Sequence, residues 1–147
     1  MTPREEIQAQ LTEALKARES TRLSTLRLLL TAIDNERIAK GEEVDRNGFL
    51  KIVQKALKQR KESAEAYAKG GRGEQAARET AEAEILVALL PPQVDEAEIR
   101  TAIEDLVATE GLAGPQAMGQ VMKAMVARFA GNADGGTISR IAREVLS

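Results

Sequence analysis

Residues 85–98, which read ILVALLPPQVDEAE, decide how this chain divides and folds. Ile85, Leu86 and Leu89 continue a helical spacing of apolar residues up to the adjacent prolines at positions 91 and 92. Proline lacks an amide hydrogen and disfavours helical geometry in the residue before it, so we expect a helix to end at about Leu89. The two prolines therefore predict a domain boundary.

The residues after the prolines carry the start signal of a new helix. Asp95 and Glu98 form an aspartate variant of the capping box, in which the Asp95 carboxylate accepts from the Glu98 amide while the Glu98 side chain reaches back. We predict an N-terminal helical domain over residues 1–90 and a small three-helix domain over residues 93–147. The fold class is all-α, because apolar residues recur three and four positions apart and β-branched alternation is nowhere sustained.

Start and stop residues place seven helices along the chain. Thr2 before Pro3 is a side-chain cap for the first helix, Ser20 or Thr21 caps the second, and Asp134 caps the last. Pro115 opens the sixth helix, and Gly41 ends the second in a left-handed conformation. The predicted helices cover about residues 2–18, 20–41, 45–69, 74–89, 95–110, 115–129 and 137–146.

Cysteine and histidine are both absent from the 147 residues. Disulfides, thiolate metal sites and cysteine nucleophiles are therefore excluded, and the commonest general base and transition-metal ligand are missing. We predict no catalytic residues, no metal and no cofactor, hence a protein that binds a ligand without converting it. Because the sequence has no apolar leader and no stretch near the ~18 apolar residues of a membrane span, we expect a cytoplasmic protein with no membrane partner.

The remaining acid–base candidates are two carboxylate pairs at three-residue spacing, Glu62 with Glu65 and Glu79 with Glu82. Neighbouring carboxylates can share a proton and act as a donor. We favour the interpretation that both pairs belong to a solvated helix face, since 30% of the chain is charged.

Other catalytic and phosphate-binding patterns are incomplete. Ser63 near Lys61 has neither the Gly-x-Ser-x-Gly nor the Ser-x-x-Lys pattern of a serine nucleophile. The glycine-rich segments 70–73 and 131–136 lack the Lys-Ser or Lys-Thr of a phosphate-binding loop. We interpret both as loops that end helices.

Residues 46–61 contain six basic side chains and no acidic one. At 100° per residue, three of the lysines line one face opposite the apolar stripe of Phe49, Val53 and Leu57. We call these three the basic ridge: Lys51, Lys55 and Lys58. The ridge, with Lys61 beside it, would neutralise RNA phosphates and make the affinity for RNA depend steeply on salt concentration. The alternative is a solubilising face that nearby acidic side chains neutralise.

Two further patterns bear on partners. The few aromatic residues, one Tyr and two Phe, argue against base stacking, so any RNA would be recognised by shape and backbone. Met118, Met122 and Met125 form a stripe that is either an adaptable surface for a protein partner or part of the core, and we favour the core.

Five segments spread over nearly the whole chain resemble the YqeY family, whose C-terminal domain is related to the tail of GatB, the tRNA-binding subunit of glutamyl-tRNA amidotransferase. The segments are RLSTLR at residues 22–27, QRKES at 59–63, EAEILVALL at 82–90, MGQVM at 118–122, and Gly131 with ADG at 133–135. The resemblance implies an N-terminal helical domain followed by a three-helix domain.

The same resemblance implies where RNA contacts and activity would be sought. Since the related tail of GatB is implicated in contacting tRNA, further candidate RNA contacts are Lys123, Arg128, Arg140 and Arg143. The family carries the label of a carbon–nitrogen ligase with glutamine as amido-N-donor. This chain has no Gly-Gly-Ser-Ser amidase segment, no cysteine for a glutaminase and no recognisable ATP site, so we interpret that label as inherited from GatB.

These observations predict an accessory module that binds tRNA or another structured RNA and has no catalytic site of its own. Two alternatives stay open: an interaction module for proteins of the amidotransferase or translation machinery, and the glutamine-dependent ligase activity of the family label.

Overall fold

The computed structural model describes residues 1–147 and contains seven α-helices, a short 3₁₀ turn and no β-strand. The predicted all-α class is confirmed. Helices α1 to α7 span Pro3–Lys16, Ser20–Lys40, Arg46–Lys69, Gly73–Val87, Glu96–Glu110, Met118–Arg128 and Gly135–Leu146. The helices group into two units, Met1–Leu90 and Pro91–Ser147.

Side-chain caps begin several of the helices, as the sequence predicts. Thr2 Oγ1 accepts from the Glu5 amide at 3.1 Å, and Asp95 Oδ1 accepts from the Glu98 amide at 2.8 Å. The Asp134 side chain accepts from the Gly136 amide at the start of α7. Each cap satisfies an amide that has no partner within the first helical turn.

Two predicted helix starts are corrected by the structure. Neither Ser20 nor Thr21 caps α2, because the helix already begins at Ser20 and the preceding residue, Glu19, makes no capping bond. Pro115 opens the 3₁₀ turn Pro115–Ala117, which leads directly into α6. The predicted left-handed stop at Gly41 is confirmed by its φ of 71°.

The unit Met1–Leu90 is built around an apolar cluster to which all four of its helices contribute. The turn between Lys69 and Gly73 reverses the direction of the chain, and α4 packs along α3. The buried members of the cluster are Ile7, Ala14, Leu26, Leu29, Ile33, Val44, Phe49, Val53 and Leu86. Burial of the Phe49 and Val53 stripe fixes which face of α3 is left for solvent.

An ion pair fastens α1 to α2 at the surface of this unit. Arg4 Nε donates to Asp34 Oδ1 at 2.6 Å, and Arg4 Nη2 donates to Asp34 Oδ2 at 3.3 Å. The hydrogen bond from Arg4 lowers the pKa of Asp34 below its ordinary value of 3.8. Such a carboxylate stabilises the fold above its unfolded-state pKa and loses that contribution as pH falls through its folded-state pKa.

We expect Asp34→Asn to lower the free energy of unfolding at neutral pH, and the gap to wild type to shrink as pH falls below about 4. Urea unfolding followed by circular dichroism over a pH series measures the gap. Glu62→Gln is the matched control, because Glu62 is exposed and makes no ion pair within 4.0 Å. A gap that stays constant down to the lowest pH at which both proteins fold would contradict this account.

The unit Pro91–Ser147 buries a second apolar cluster, formed by α5, α6 and α7. Its buried members are Ile99, Ala102, Ile103, Ala117, Val121, Met125, Phe129, Ala133, Ile138, Ile141, Ala142 and Leu146. Met118 and Met122 pack against this cluster, so the interpretation of the methionine stripe as core is confirmed. Val126, the residue after Met125 on α6, is 45% exposed.

The glycine-rich segment 131–136 follows α6 and also holds the beginning of this unit. Gln93 Nε2 donates to the Gly131 carbonyl at 2.7 Å, and the Val94 amide donates to the Asn132 carbonyl at 3.0 Å. Asn132 Nδ2 donates to the Pro92 carbonyl at 2.9 Å. Residues 131–134 lie between α6 and α7, as predicted for a loop that ends a helix, whereas Gly135 and Gly136 already belong to α7, which begins two residues earlier than predicted.

Candidate nucleic-acid interface and a charged groove

The basic ridge lies on the solvent side of α3. Lys51, Lys55 and Lys58 are exposed, whereas Phe49 and Val53 on the opposite side are 2% and 0% exposed. Positions three and four residues apart are neighbours on a helix surface, so the three ammonium groups project from one continuous strip. The predicted orientation of the ridge is confirmed.

The ridge lysines are not neutralised by carboxylates. None of Lys51, Lys55 and Lys58 has a carboxylate oxygen within 4.0 Å, although many other cations of the protein do. Glu65, the next acid but one along α3, instead pairs with Lys69 at 3.1 Å. The ridge therefore offers unpaired positive charge to a polyanion. The alternative of a face neutralised by nearby acids does not explain this absence of carboxylates.

Lys61 is exposed and unpaired but stands off the ridge. It lines an apolar groove of about 380 Å³ between α3 and α4, together with Ala64, Thr80, Ala83, Glu84 and Val87. It follows Lys58 by three residues, so at 100° per residue it lies about 60° around α3 from Lys58, on the side of α3 that lines the groove with α4. It would add charge near a ligand of the ridge without being part of the same strip.

The four candidate cations of the second unit have different surroundings. Lys123 is exposed with no carboxylate within 4.0 Å, and the Arg128 guanidinium stacks 5.4 Å from the centroid of the Phe129 ring. Arg143 Nη2 donates to Ser139 Oγ at 2.9 Å. Arg140 bonds to Glu96 and Glu144, and the hydrogen bond to Glu96 raises the pKa of Arg140. Arg140 is thus already engaged in fastening α5 to α7.

A part-buried cluster of charges, absent from our sequence-based site, lies between α3 and α4. Glu82 is 8% exposed and Glu79 also has little exposed side chain, so a solvated helix face is the wrong interpretation for this pair. The interpretation as a solvated helix face is correct for Glu62 and Glu65, which are both exposed. Burial arises because positions 79 and 82 lie on the side of α4 that also carries Leu86.

One arginine serves both buried carboxylates. Arg60 Nη1 lies 2.9 Å from Glu79 Oε2 and 3.3 Å from Glu82 Oε2. It donates a hydrogen bond to Glu82, while Glu79 Oε2 is buried at an angle outside hydrogen-bond geometry, so that contact is purely ionic. We call these three residues the Arg60 cluster; its formal charge is negative, because one cation faces two carboxylates.

The Arg60 cluster borders a groove of about 220 Å³ formed by α2, α3 and α4. We call this the α2–α4 groove; it is lined by Thr25, Leu28, Leu29, Ala32, Ala56, Gln59, Arg60, Glu82 and Leu86. Residues from three of the segments that resemble the YqeY family, 22–27, 59–63 and 82–90, therefore meet at one place. A signal for Arg60 exists in the sequence, since it follows Val53 by two helical turns and so falls on the buried face.

Two wider properties of the structure concern metals and membranes. No group of three or more Asp and Glu side chains is arranged to hold a metal ion. None of the helices has the length and apolar character needed to span a bilayer.

Comparison with known proteins identifies the family. The family model described as Yqey-like protein matches residues 4–146. This helical chain therefore belongs to the YqeY family, and the resemblance drawn from its segments is confirmed.

A curated relative gives a second comparison. "Altered inheritance of mitochondria protein 41, mitochondrial" of Lachancea thermotolerans (strain ATCC 56472 / CBS 6340 / NRRL Y-8284) is 34% identical over 100 residues. The matched region is 66% of this chain and 54% of the relative, so the chain matches about half the length of that protein.

Proposed function

We propose that this YqeY-family protein is an accessory module that binds tRNA, or another structured RNA, and has no catalytic site of its own. The observation that carries the proposal is the basic ridge, whose lysines are exposed, adjacent on one helix face and free of carboxylates. Unpaired lysines that meet a phosphate backbone release its condensed counterions, which drives association.

The expected mode of recognition follows from the side chains available. Phe49 and Phe129 are buried and Tyr67 is half-buried, so the protein has no exposed aromatic surface on which bases would stack. Lysine binds phosphate as a point charge and reads no base edge by itself. The ridge therefore supports recognition of RNA shape and backbone, with Lys61, Lys123, Arg128 and Arg143 as secondary contacts.

The test is a salt-dependent tRNA titration of wild type and of the triple variant Lys51→Glu/Lys55→Glu/Lys58→Glu. We expect the triple variant to bind at least about tenfold more weakly at low salt, and the slope of log K against log salt to become shallower by about 2 to 3. Fluorescence anisotropy of labelled tRNA at several salt concentrations measures both quantities.

A charge-matched control separates the ridge from general electrostatics. Lys16→Glu/Arg72→Glu/Arg78→Glu makes the same change in net charge at exposed cations with no ion pair. The proposal predicts a clearly smaller loss for this control. Equal losses for the two triple variants, or no tRNA binding by wild type at low salt, would overturn it.

The alternative functions have their own tests. Docking of amidotransferase or translation proteins on the methionine stripe has limited surface to use, since Met125 is 3% exposed and Met118 and Met122 are half-buried against the core. Glutamine-dependent ligase activity predicts that the purified chain amidates misacylated tRNA when given glutamine and ATP. A cytoplasmic location stays a prediction that cell fractionation would test, and the name of the curated relative places that relative in mitochondria.

A further inference from the structure

A site distinct from the ridge is formed by the α2–α4 groove. Its aliphatic lining includes Ala32 from α2, Ala56 from α3 and Leu86 from α4. Its polar residues are Thr25, Gln59, Arg60 and Glu82. The groove thus offers apolar contact along its length together with hydrogen-bonding and charged groups.

The size of the groove limits what it can hold. Its volume of about 220 Å³ is below the roughly 300–1,000 Å³ of sites that enclose drug-sized ligands. A groove of this size would not enclose a nucleotide or coenzyme. A single amino-acid side chain is of suitable size.

The net negative charge at the groove favours a positively charged side chain. Arg60 supplies one positive charge to Glu79 and Glu82, and no second Lys or Arg lies within 4.0 Å of either carboxylate. A carboxylate has about four lone-pair sites, so the Glu82 bond to Arg60 leaves room for another donor. A charge in a desolvated place is costly unless it is balanced, and an added cation would balance the cluster.

The rim of the groove offers a peptide an apolar contact that a free amine would not use. Leu28, which lines the groove from α2, is 59% exposed. A free amine would fill the groove and leave this leucine in water, whereas a peptide segment would cover it with a neighbouring apolar residue. Lysine and arginine also carry the aliphatic stem that the alanine walls fit.

We propose that the α2–α4 groove seats a lysine or arginine side chain of a partner polypeptide, with an apolar residue beside it packed on Leu28. The stem lies between Ala32 and Ala56, and the charged head donates to Glu82. The ridge lysines are solvent-exposed on α3, and at physiological salt, where the Debye length is about 8 Å, their repulsion of the incoming cation is screened.

The test uses small blocked peptides and the full chain. N-acetyl-Leu-Arg-methylamide is titrated at physiological salt while the methyl resonances of Leu28, Leu29 and Leu86 are followed by NMR. The same dipeptide with citrulline in place of arginine has nearly the same shape and no charge. We expect the arginine peptide to bind about tenfold more tightly than the citrulline peptide, as a charge-assisted hydrogen bond predicts.

Variants assign the effect to the groove. Glu82→Gln should bring the two peptides close to equal affinity, while Glu62→Gln, an equal charge change at an exposed position of α3, should leave the preference intact. Leu28→Ala should weaken the Leu-Arg peptide and leave N-acetyl-Gly-Arg-methylamide unchanged. If Glu82→Gln fails to fold, Ala32→Leu replaces it, because it fills the groove without a change of charge and should abolish binding.

Several outcomes would overturn the proposal. These are equal affinity for the arginine and citrulline peptides, tighter binding of a Leu-Glu peptide, and resonance shifts that fall outside the groove. Agmatine binding as tightly as the Leu-Arg peptide would contradict the assignment to a polypeptide. None of these results depends on the ridge, so a failure of groove binding would leave the proposal of tRNA binding unaffected, and the reverse also holds.

Discussion

Ile103→Ala is expected to destabilise residues 91–147 by about 2–5 kcal/mol, the usual cost of truncating a buried isoleucine to alanine. Ile103 is 0% exposed and belongs to the apolar cluster of α5, α6 and α7. A unit of 57 residues has a small core, so a loss of this size should leave much of the unit unfolded at 25 °C. We propose that residues 1–90 stay folded, as separate domains would.

Two spectroscopic probes distinguish the units in the same sample. The chain has one tyrosine and no tryptophan, and Tyr67 lies in α3, so tyrosine fluorescence reports on the unit Met1–Leu90. Far-ultraviolet circular dichroism reports on the helices of both units. For Ile103→Ala we expect an early dichroism transition with the Tyr67 transition unmoved, and for Leu26→Ala, in the first core, the reverse.

The control for this experiment is Val126→Ala on α6, which truncates a residue that is 45% exposed and should shift either transition little. Parallel shifts of both transitions by Ile103→Ala would mean that the chain unfolds as one cooperative body. The proposed division into two domains would then fail, although the two apolar clusters of the structure would be unchanged.

The helices were predictable because their signals are local. The caps at Thr2, Asp95 and Asp134 act within three residues of the side chain that forms them, so short patterns suffice. The start of α2 was misjudged for the same reason: Ser20 is a good cap by type, yet the helix has already begun there. Which of several adjacent residues starts a helix depends on the path of the preceding turn, which no local pattern records.

The candidate surfaces were predictable only in part. The outward direction of the ridge follows from helical periodicity, but its freedom from carboxylates depends on the positions of every other helix. Arg140 shows the converse, since its partner Glu96 is 44 residues away in sequence and the pair forms only when α5 and α7 pack. The α2–α4 groove needs three helices in place, so sequence reasoning had no means to describe it.

Arg60→Met is expected to cost about 2–3 kcal/mol of folding free energy, which is somewhat less than the 3–5 kcal/mol typical of breaking a fully buried pair. Methionine keeps the aliphatic stem, so the change removes mainly the charge. Without Arg60, the carboxylates of Glu79 and Glu82 would lie together with little exposed surface and no cation. The 28% exposure of the Arg60 side chain, through which water can reach the pair, accounts for the lower figure.

The triple variant Arg60→Met/Glu79→Gln/Glu82→Gln distinguishes the electrostatic contribution of Arg60 to stability from its packing contribution. Replacing all three charges with neutral groups of similar shape should recover most of the loss, since a neutral cluster leaves no unpaired buried charge. Lys61→Met, one position along α3, is the control and should change stability by about 0.5 kcal/mol or less. Urea unfolding followed by Tyr67 fluorescence measures all four proteins in the relevant unit. If the triple variant is no more stable than Arg60→Met, the arginine acts through packing. If the triple variant recovers stability, the fold does not need the charges of the Arg60 cluster. The excess negative charge of the cluster would then be available to a cationic partner at Glu82.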